Sequence, residues 1–286
     1  MLGLIVDGWM GCSKMSLLRR VFLALGLALV VCFQVAPMYI ALTTSLKPRS
    51  DLSSQWIFPT QELYLKNFEV AVVDGNILRA IGSSAIVTIS STVLVCVLGA
   101  LAAYPLARRE TLTNKIIYSS IIGLIMVPPL AILVPLYTLM TQIHAVNTYW
   151  GIVLVMVTTQ LPLAVFLYTS FLRGLPISVE ESAIIDGATS LNVLFRIVVP
   201  MLKPVTATVV ILTSVNIWNE YALSVYMLRS PEVRTVAPTI STFFSSSGVD
   251  LGPAAAASLI SVMPVLIAYL LLQKWFIKGM VAGAVK

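Results

Sequence analysis

Charged side chains are scarce in this sequence. Only 10% of the 286 residues are Asp, Glu, Lys or Arg, whereas about a quarter of the residues of a soluble domain are charged. Apolar residue types supply 58% of the chain, and its mean hydropathy is strongly positive. This composition excludes a soluble globular protein and predicts an integral membrane protein. The net charge of +6 requires no nucleic acid partner, because cytoplasmic loops of membrane proteins collect Lys and Arg.

Cysteine and histidine are also rare, which excludes a disulfide framework and a metal centre. Of the 3 Cys, Cys32 and Cys96 lie inside apolar segments, where we interpret them as small apolar fillers. The single His is His144, which has no carboxylate or cysteine near it in the sequence. We therefore interpret His144 as a solvated loop residue, and we predict no metal or cofactor for this chain.

The chain also lacks the residues that would let it work alone as a pump or an enzyme. No Gly-Lys dipeptide occurs, so there is no phosphate-binding P-loop to hold ATP. Glu220 is the only acid well inside a predicted span, whereas a proton-coupled carrier uses acids near the middle of the membrane. The sequence has no His-Glu zinc motif and no clear Ser or Asp dyad, which argues against an intramembrane enzyme.

Six apolar stretches are long enough to cross a bilayer, which takes about twenty residues each. They are residues 20–43, 79–106, 115–140, 149–172, 203–227 and 254–276. The basic residues are divided unequally between the two sides that these spans define, twelve against six. The positive-inside rule then places both termini in the cytoplasm, with the stretch between the fourth and fifth spans. The expected fold is an all-α membrane protein with six transmembrane helices.

The stretch between the fourth and fifth spans, residues 176–204, is a polar helical interruption in an apolar chain. Ser178 and Glu181 have the spacing of a capping box, which would start a short helix. Gly187 predicts the end of that helix, because glycine adopts the left-handed conformation without a steric penalty. Thr189 or Ser190 can cap a second helix, whose apolar positions recur at helical spacing at Leu191, Leu194, Phe195 and Val198.

Small residues and prolines distinguish the middle spans. The second span has Gly82, Ser83, Ser84, Ser90, Ser91, Gly99, Ala100, Ala102 and Ala103. Small residues let membrane helices approach closely, so this span packs within the chain's own bundle, which we favour, or on a second chain. Pro128, Pro129 and Pro135 interrupt the third span and Pro162 the fourth, which predicts bends. Bent spans either line a cavity or are simply kinked.

A group of polar residues lies inside the fifth span. Asn216, Asn219 and Glu220 are candidate pore or vestibule residues, because an ionisable side chain in a span tends to face a cavity or a partner. Glu220 lies about 17 residues beyond Lys203, or roughly 25 Å along a helix, which places it near the outer face. We therefore favour an outer vestibule or an interfacial anchor over direct substrate contact.

Residues 176–204 also resemble a known motif. Glu181, the small pair Ser182 and Ala183, and Gly187, followed by Ile197 and Pro200, resemble the EAA loop of binding-protein-dependent ABC importer permeases. Ser182 stands where the family usually has Ala, and Val199 where it usually has Leu. The C-terminal run KWFIKGMVAGAVK resembles the maltose-type, carbohydrate-uptake branch. The resemblance extends over residues 44–286.

The resemblance implies a function, a membrane location and a set of partners. It implies a permease subunit in the inner or plasma membrane, which forms the path for a sugar or related solute with a second permease. Two ATPase subunits would bind ATP and Mg, and a periplasmic or lipid-anchored solute-binding protein would deliver the solute. The residues that would couple the permease to the ATPase are Glu180, Glu181, Ser182, Ala183, Asp186, Gly187, Ile197 and Pro200. Ser247, Gly248 and Asp250, in the last outer loop, would contact the binding protein.

One alternative remains open at this point, a stand-alone secondary carrier or channel for a small polar solute. The expected organisation is a disordered segment 1–14, a first helix and outer loop 15–78, a transmembrane core domain 79–276 and a cytoplasmic tail 277–286. The tail is basic and too short to form a domain, so we expect it to become ordered only against cytoplasmic partners. The cargo could be a sugar, a sugar alcohol or a glycerol phosphate, because similar permeases transport all three.

Overall fold

The computed structural model describes residues 17–60, 63–244 and 250–284, and within these ranges all regular structure is helical. The helices are α1 (Leu17–Ser45), α2 (Lys66–Val73), α3 (Ile77–Arg108), α4 (Leu112–Ile125), α5 (Leu133–Gln142), α6 (Tyr149–Arg173), α7 (Ser178–Ile185), α8 (Ser190–Val193), α9 (Val199–Met201), α10 (Lys203–Trp218), α11 (Ser224–Met227), α12 (Val236–Thr242) and α13 (Leu251–Ala284). A 3-10 turn, Pro129–Ile132, precedes α5, and a π-helical turn, Leu194–Val198, joins α8 to α9. The expected all-α fold is confirmed for this part of the chain. The segment 1–14 lies outside it.

Four helices are long and apolar enough to cross a membrane: α1, α3, α6 and α13. Two further candidates are bent pairs, α4 with the segment that contains α5, and α8–α9 with α10. The axes in these pairs meet at 98° and 70° respectively. The described chain therefore has four to six spans, and six only if each bent pair counts as one.

Prolines account for the first of these bends, whereas the helix that contains Pro162 is not broken. Pro128 is extended, with ψ 129°, and Pro129 opens the next helical turn, so the ladder of α4 cannot continue across the pair. In contrast, α6 continues as a single helix past Pro162. A lone proline in a helix removes one hydrogen bond, and this long apolar helix tolerates that loss.

The centre of the bundle is the contact between α3 and α6, and α10 packs against both helices. The small residues of α3 allow this contact: a Cβ on Gly99 would be only 3.1 Å from the Cβ of Ala164. Ser83, Ser84, Ser91, Gly99 and Ala103 are all buried within the chain. The interpretation of the small-residue span as packing within the chain's own bundle is confirmed for these residues.

One buried amide, that of Asn67, lies at the end of the bundle where α1 terminates. Asn67 of α2 donates from Nδ2 to the carbonyls of Ser45 (2.9 Å) and Lys47 (2.8 Å), just beyond the end of α1. A Cβ on Gly252, at the start of α13, would be 2.5 Å from the same nitrogen. Asn67 therefore joins α1, α2 and α13 at one point.

The fifth span ends earlier than the predicted residue 227. α10 ends at Trp218, with Asn219 as its C-cap. The Glu220 carboxylate accepts hydrogen bonds from the backbone N–H groups of Leu223 (2.7 Å) and Ser224 (2.9 Å), and so begins α11 instead. Side chains that bond to nearby backbone compete with a continuing helix in this way.

Candidate functional site

Residues 178–201 form a helical hairpin at the end of the bundle where α3 and α6 terminate. We call this segment, from α7 through α9, the α7–α9 hairpin. Its first helix begins at Ser178, with Ile177 as N-cap and no side-chain cap. The predicted capping box is wrong: the N–H of Glu181 bonds to the carbonyl of Ile177 (3.1 Å), so Ser178 already lies in the helix. Its carbonyl accepts instead from the hydroxyl of Ser182 (2.8 Å).

The predicted end of α7 is confirmed. Gly187 has a φ of +86°, the left-handed conformation that glycine adopts most readily. Its N–H bonds to the carbonyl of Ile184 (3.0 Å), and the N–H of Ala188 bonds to that of Ala183 (2.9 Å). These two hydrogen bonds form a Schellman motif, which reverses the chain immediately after the helix.

Glu180 anchors α7 to the bundle. Its side chain is 8% exposed and accepts a hydrogen bond from Nε of Arg108 (2.8 Å) and another from the hydroxyl of Tyr104 (3.0 Å). Nη2 of Arg108 lies 2.6 Å from the same carboxylate as a charge contact, and Nη1 donates to the carbonyl of Leu172 in α6 (2.8 Å). One buried ion pair therefore connects α7 with the ends of both α3 and α6.

Sequence reasoning missed Arg108 and Tyr104 as parts of this site. A signal was present, since the two residues are four apart near the end of α3 and so lie on one helix face. The resemblance to the EAA loop placed Glu180 and Glu181 together among the coupling residues. The structure separates them, because Glu180 is buried against Arg108 while Glu181 is exposed.

The exposed surface of α7 combines acidic and apolar side chains. Glu181, Ser182 and Asp186 are exposed. Beside them Ile184 is 55% and Ile185 85% exposed. An exposed apolar patch next to polar groups is typical of a protein–protein interface.

The second half of the hairpin packs on the core with a shifted register. Thr189 caps it, because its Oγ1 accepts from the N–H of Asn192 (3.4 Å). Of the four predicted apolar positions, Leu194 and Val198 are buried, whereas Leu191 and Phe195 are exposed. A π-helical turn follows Leu191: the N–H of Val199 bonds back to the carbonyl of Leu194, so the helix gains an extra residue between Leu194 and Val198.

The remaining predicted coupling residues differ in how far they are buried. Ala183 is half-buried and contacts the core cluster of α3 and α6, and Ile197 is also half-buried. Pro200 is exposed. The hairpin thus has a side fixed to the core and a side open to a partner.

The polar group of the fifth span is arranged around the end of α10. Asn216 and Asn219 are exposed, and Nδ2 of Asn219 donates to the carbonyl of Val215 (2.9 Å). Glu220 is half-buried and fully engaged with its own chain, since it also accepts from the hydroxyl of Ser224 (2.6 Å). This arrangement agrees with an anchoring function for Glu220 more than with direct cargo contact.

The predicted binding-protein loop and His144 add little to the described site. Ser247 and Gly248 lie outside the described residues, and Asp250 is half-buried with its N–H bonded to the carbonyl of Phe243 (3.1 Å). His144 is exposed. Within the described ranges, no group of three His, Cys, Asp or Glu residues could hold a metal ion.

Comparison with known proteins identifies the family. Residues 96–281 match the family described as binding-protein-dependent transport system inner membrane component. The melibiose/raffinose/stachyose import permease protein MelC of Bacillus subtilis (strain 168) is 40% identical over 91% of this chain and 94% of its own length. The probable starch degradation products transport system permease protein AmyC of Thermoanaerobacterium thermosulfurigenes is 29% identical over 96% of this chain and 99% of its own.

The fold agrees with these relatives. A chain in the crystal structure of a bacterial ABC transporter involved in the import of the acidic polysaccharide alginate superposes with a TM-score of 0.76. The two chains are 18% identical, and the match covers 92% of this chain and 99% of the other. These findings favour a permease subunit over a stand-alone carrier or channel. Because the family match runs from the middle of α3 into α13, the chain belongs to the binding-protein-dependent inner membrane components, the permease subunits of ABC importers.

Proposed function

We propose that this permease transports an oligosaccharide and that the α7–α9 hairpin docks it onto an ATPase subunit. The chain has no phosphate-binding loop of its own, so two ATPase subunits bind ATP and Mg in the assembled importer. A second permease, different in sequence, completes the path. A periplasmic or lipid-anchored binding protein delivers the solute.

The geometry of α7 is the observation that supports the docking proposal. One side of the helix is fixed to α3 and α6 through Glu180, and the other side presents Ile184 and Ile185 outside the bundle. A helix that is held firmly by the spans and exposes an apolar patch is suited to transmit movement of a bound partner to those spans. Movement of an ATPase on this surface would act directly on α3 through Arg108.

The predicted coupling residues then divide into two groups. Glu181, Ser182 and Asp186 contact the ATPase, because their side chains are exposed beside the isoleucines. The others position α7 and the second half of the hairpin; they are Glu180, Ala183, Gly187, Ile197 and Pro200. Sequence similarity to the EAA loop supports the same set.

The coupling proposal is tested by Ile185→Asp. Ile185 is 85% exposed, so the change leaves the core intact while it places a charge in the docking surface. We expect the variant chain to insert normally, to retain less ATPase subunit on purification and to lose uptake. Leu52→Asp is the matched control, since Leu52 is 96% exposed in the loop after α1. Full ATPase retention and full uptake by the Ile185 variant would contradict the docking surface.

The relatives support an oligosaccharide cargo. The relative that is 40% identical is named for import of melibiose, raffinose and stachyose. Others, at 29%, are named for starch degradation products and arabinooligosaccharides. We expect cells that depend on this importer to take up labelled melibiose and raffinose. Uptake of labelled maltose without either of these sugars would move the cargo to the starch-derived class.

The outer end of the molecule would receive the sugar. Asn216 and Asn219 are exposed near the end of α10. With Glu220 they would line one wall of an outer vestibule. Ser247, Gly248 and Asp250 would contact the binding protein. This assignment requires both termini to be cytoplasmic, as the basic residues indicate. A cysteine introduced at Ile185 should react with a membrane-impermeant maleimide only in inverted vesicles.

A further inference from the structure

An open pocket of about 600 Å³ lies where α3 ends and α4 begins, beside the end of α6. Its wall is built by Asn114, whose amide donates to the carbonyls of Pro105 (3.0 Å) and Arg109 (2.9 Å) and so fixes the corner between the two helices. The proposed coupling mechanism does not use this pocket. It lies at the same end of the bundle as the α7–α9 hairpin, because Arg108 also reaches Glu180.

The pocket has an excess of positive charge. Arg108 is neutralised by Glu180, which leaves Arg109, Lys115 and Arg173 facing Glu110. The contact between Lys115 and Glu110 is 3.9 Å long, and both side chains are largely exposed, so it contributes little. The net result is an uncompensated charge of about +2 in a concave site, which favours an anion.

Two features prepare the site for that anion. Arg173 is held in place, with its guanidinium 4.6 Å from the centre of the Tyr118 ring and Nη2 donating to the carbonyl of Leu106 (3.4 Å). The first turn of α4 has no acidic residue, so its N-terminal dipole is available to a negative ligand. An arginine that is already positioned loses less conformational freedom on binding.

The surface next to the pocket is apolar and faces outward. α4 has no buried residue, and Leu112 (75%), Ile116 (58%) and Ile117 (45%) are exposed along it. In a membrane protein such a face contacts acyl chains or another protein chain, and the cations beside it favour acyl chains that carry an anionic headgroup. A ligand that fits both surfaces has an anionic head and an apolar body.

We propose that this pocket binds the phosphate headgroup of an anionic phospholipid such as phosphatidylglycerol. The phosphate lies among Arg109, Lys115 and Arg173, and the acyl chains run along α4 past Ile116 and Ile117. Basic pockets between membrane helices are known to hold anionic headgroups. A soluble phosphate would use the cations but not the apolar face, and an ATPase subunit would cover the pocket with protein.

The test uses the whole transporter, purified through a tag on this chain in nanodiscs of phosphatidylcholine with phosphatidylglycerol as the minor lipid. Native mass spectrometry measures the phosphatidylglycerol that stays bound. We expect the double variant Arg109→Gln, Lys115→Gln to bind this lipid about 25-fold more weakly, since each charge near the surface is worth about fivefold. Arg79→Gln, at the opposite end of α3, is the control and should retain it.

Three outcomes would overturn the proposal. Equal phosphatidylglycerol retention by the double variant and the control would show that these cations do not bind it. Displacement of the lipid by inorganic phosphate in stoichiometric amounts would indicate a site for a soluble anion. Crosslinking of Lys115 to an ATPase subunit in the same preparation would make the pocket a protein interface. Sugar uptake is not measured, so the result is independent of the proposed cargo and coupling.

Discussion

Two adjacent glutamates of α7 have opposite surroundings. The side chain of Glu180 is 8% exposed and is paired with Arg108, whereas Glu181 is exposed on the proposed docking surface. Removing one member of a buried pair leaves the other charge uncompensated, which is far more destabilising than the loss of a surface charge. The same chemical change at neighbouring positions should therefore have different effects.

Glu180→Gln should lower the stability of the assembled permease by about 3–5 kcal/mol, because Arg108 stays buried without its counter-charge. Glu181→Gln should change stability by less than about 0.5 kcal/mol while it reduces ATP hydrolysis stimulated by solute. Thermal unfolding of both variants in the same detergent checks the first effect, and a hydrolysis assay the second. Equal melting temperatures would contradict the anchoring function of Glu180.

Gly187→Ala should destabilise the hairpin by about 1–2 kcal/mol, because a Cβ is strained at its positive φ. No atom lies within 4 Å of that Cβ, so crowding adds nothing. Gly187→Asn should recover part of the loss, since Asn tolerates the left-handed conformation. Gly123→Ala is the control, because it also faces open space but lies within α4, and it should be neutral or stabilising. Unfolding midpoints of the three variants measure these differences in stability.

The conformation of Gly187 could be predicted from the sequence, and the environment of Glu180 could not. A glycine after a short polar helix has one common backbone solution, which depends only on local sterics. Which of two adjacent acids points inward depends on where α3 ends in space. That information comes from tertiary packing.

The positions and ends of helices were predicted best where interactions between nearby residues determine them. Hydropathy located the apolar spans, and the pair Pro128–Pro129 predicted the 98° bend, because two consecutive prolines interrupt the helix regardless of context. The end of α10 was wrong by nine residues, 227 against Trp218. There the Glu220 side chain replaces helical hydrogen bonds, and a hydropathy average does not register such a bond. The register of the hairpin's second half was likewise altered by the π-helical turn.

Asn67→Ala should loosen three elements together. The carbonyls of Ser45 and Lys47 would lose their donor, which should reduce stability by about 1–3 kcal/mol. Asn67→Asp should be worse, because a carboxylate of the same size would face two carbonyl oxygens. Asn216→Ala, at an exposed position, should leave stability within about 0.5 kcal/mol of the original. Protease susceptibility of the loop between α1 and α2 provides the measurement.

At the scale of the whole molecule, the chain is one permease subunit and has no ATP-binding loop to drive transport. It has no Gly-Lys dipeptide, and its hairpin exposes an apolar patch that has no cover within the described residues. We expect the permease reconstituted alone in liposomes to hydrolyse no ATP and to move no sugar. Adding the second permease, the ATPase subunits and the binding protein should give uptake that depends on ATP. Uptake by the isolated chain would contradict the subunit assignment.

The described part of the predicted tail, residues 277–284, continues α13 as a helix. The backbone is helical as far as Ala284, whereas hydropathy predicted that the last span ends at residue 276. Removing residues 279–286 should leave membrane insertion intact, because the apolar part of α13 remains. The same deletion should alter the coupling of ATP hydrolysis to transport, since the basic residues predict that the C-terminus lies on the cytoplasmic side, where ATPase subunits bind.

The Arg108–Glu180 pair also restricts how this protein can evolve. Either charge without the other destabilises the bundle, so a protein in which only one of the two residues has been replaced is less stable. Descendants should therefore keep both residues or exchange both for a neutral pair of similar volume. Tyr104 is free to become Phe only while Arg108 still satisfies the carboxylate. Lineages of this permease should thus show positions 108 and 180 changing together, with no linked change at position 181.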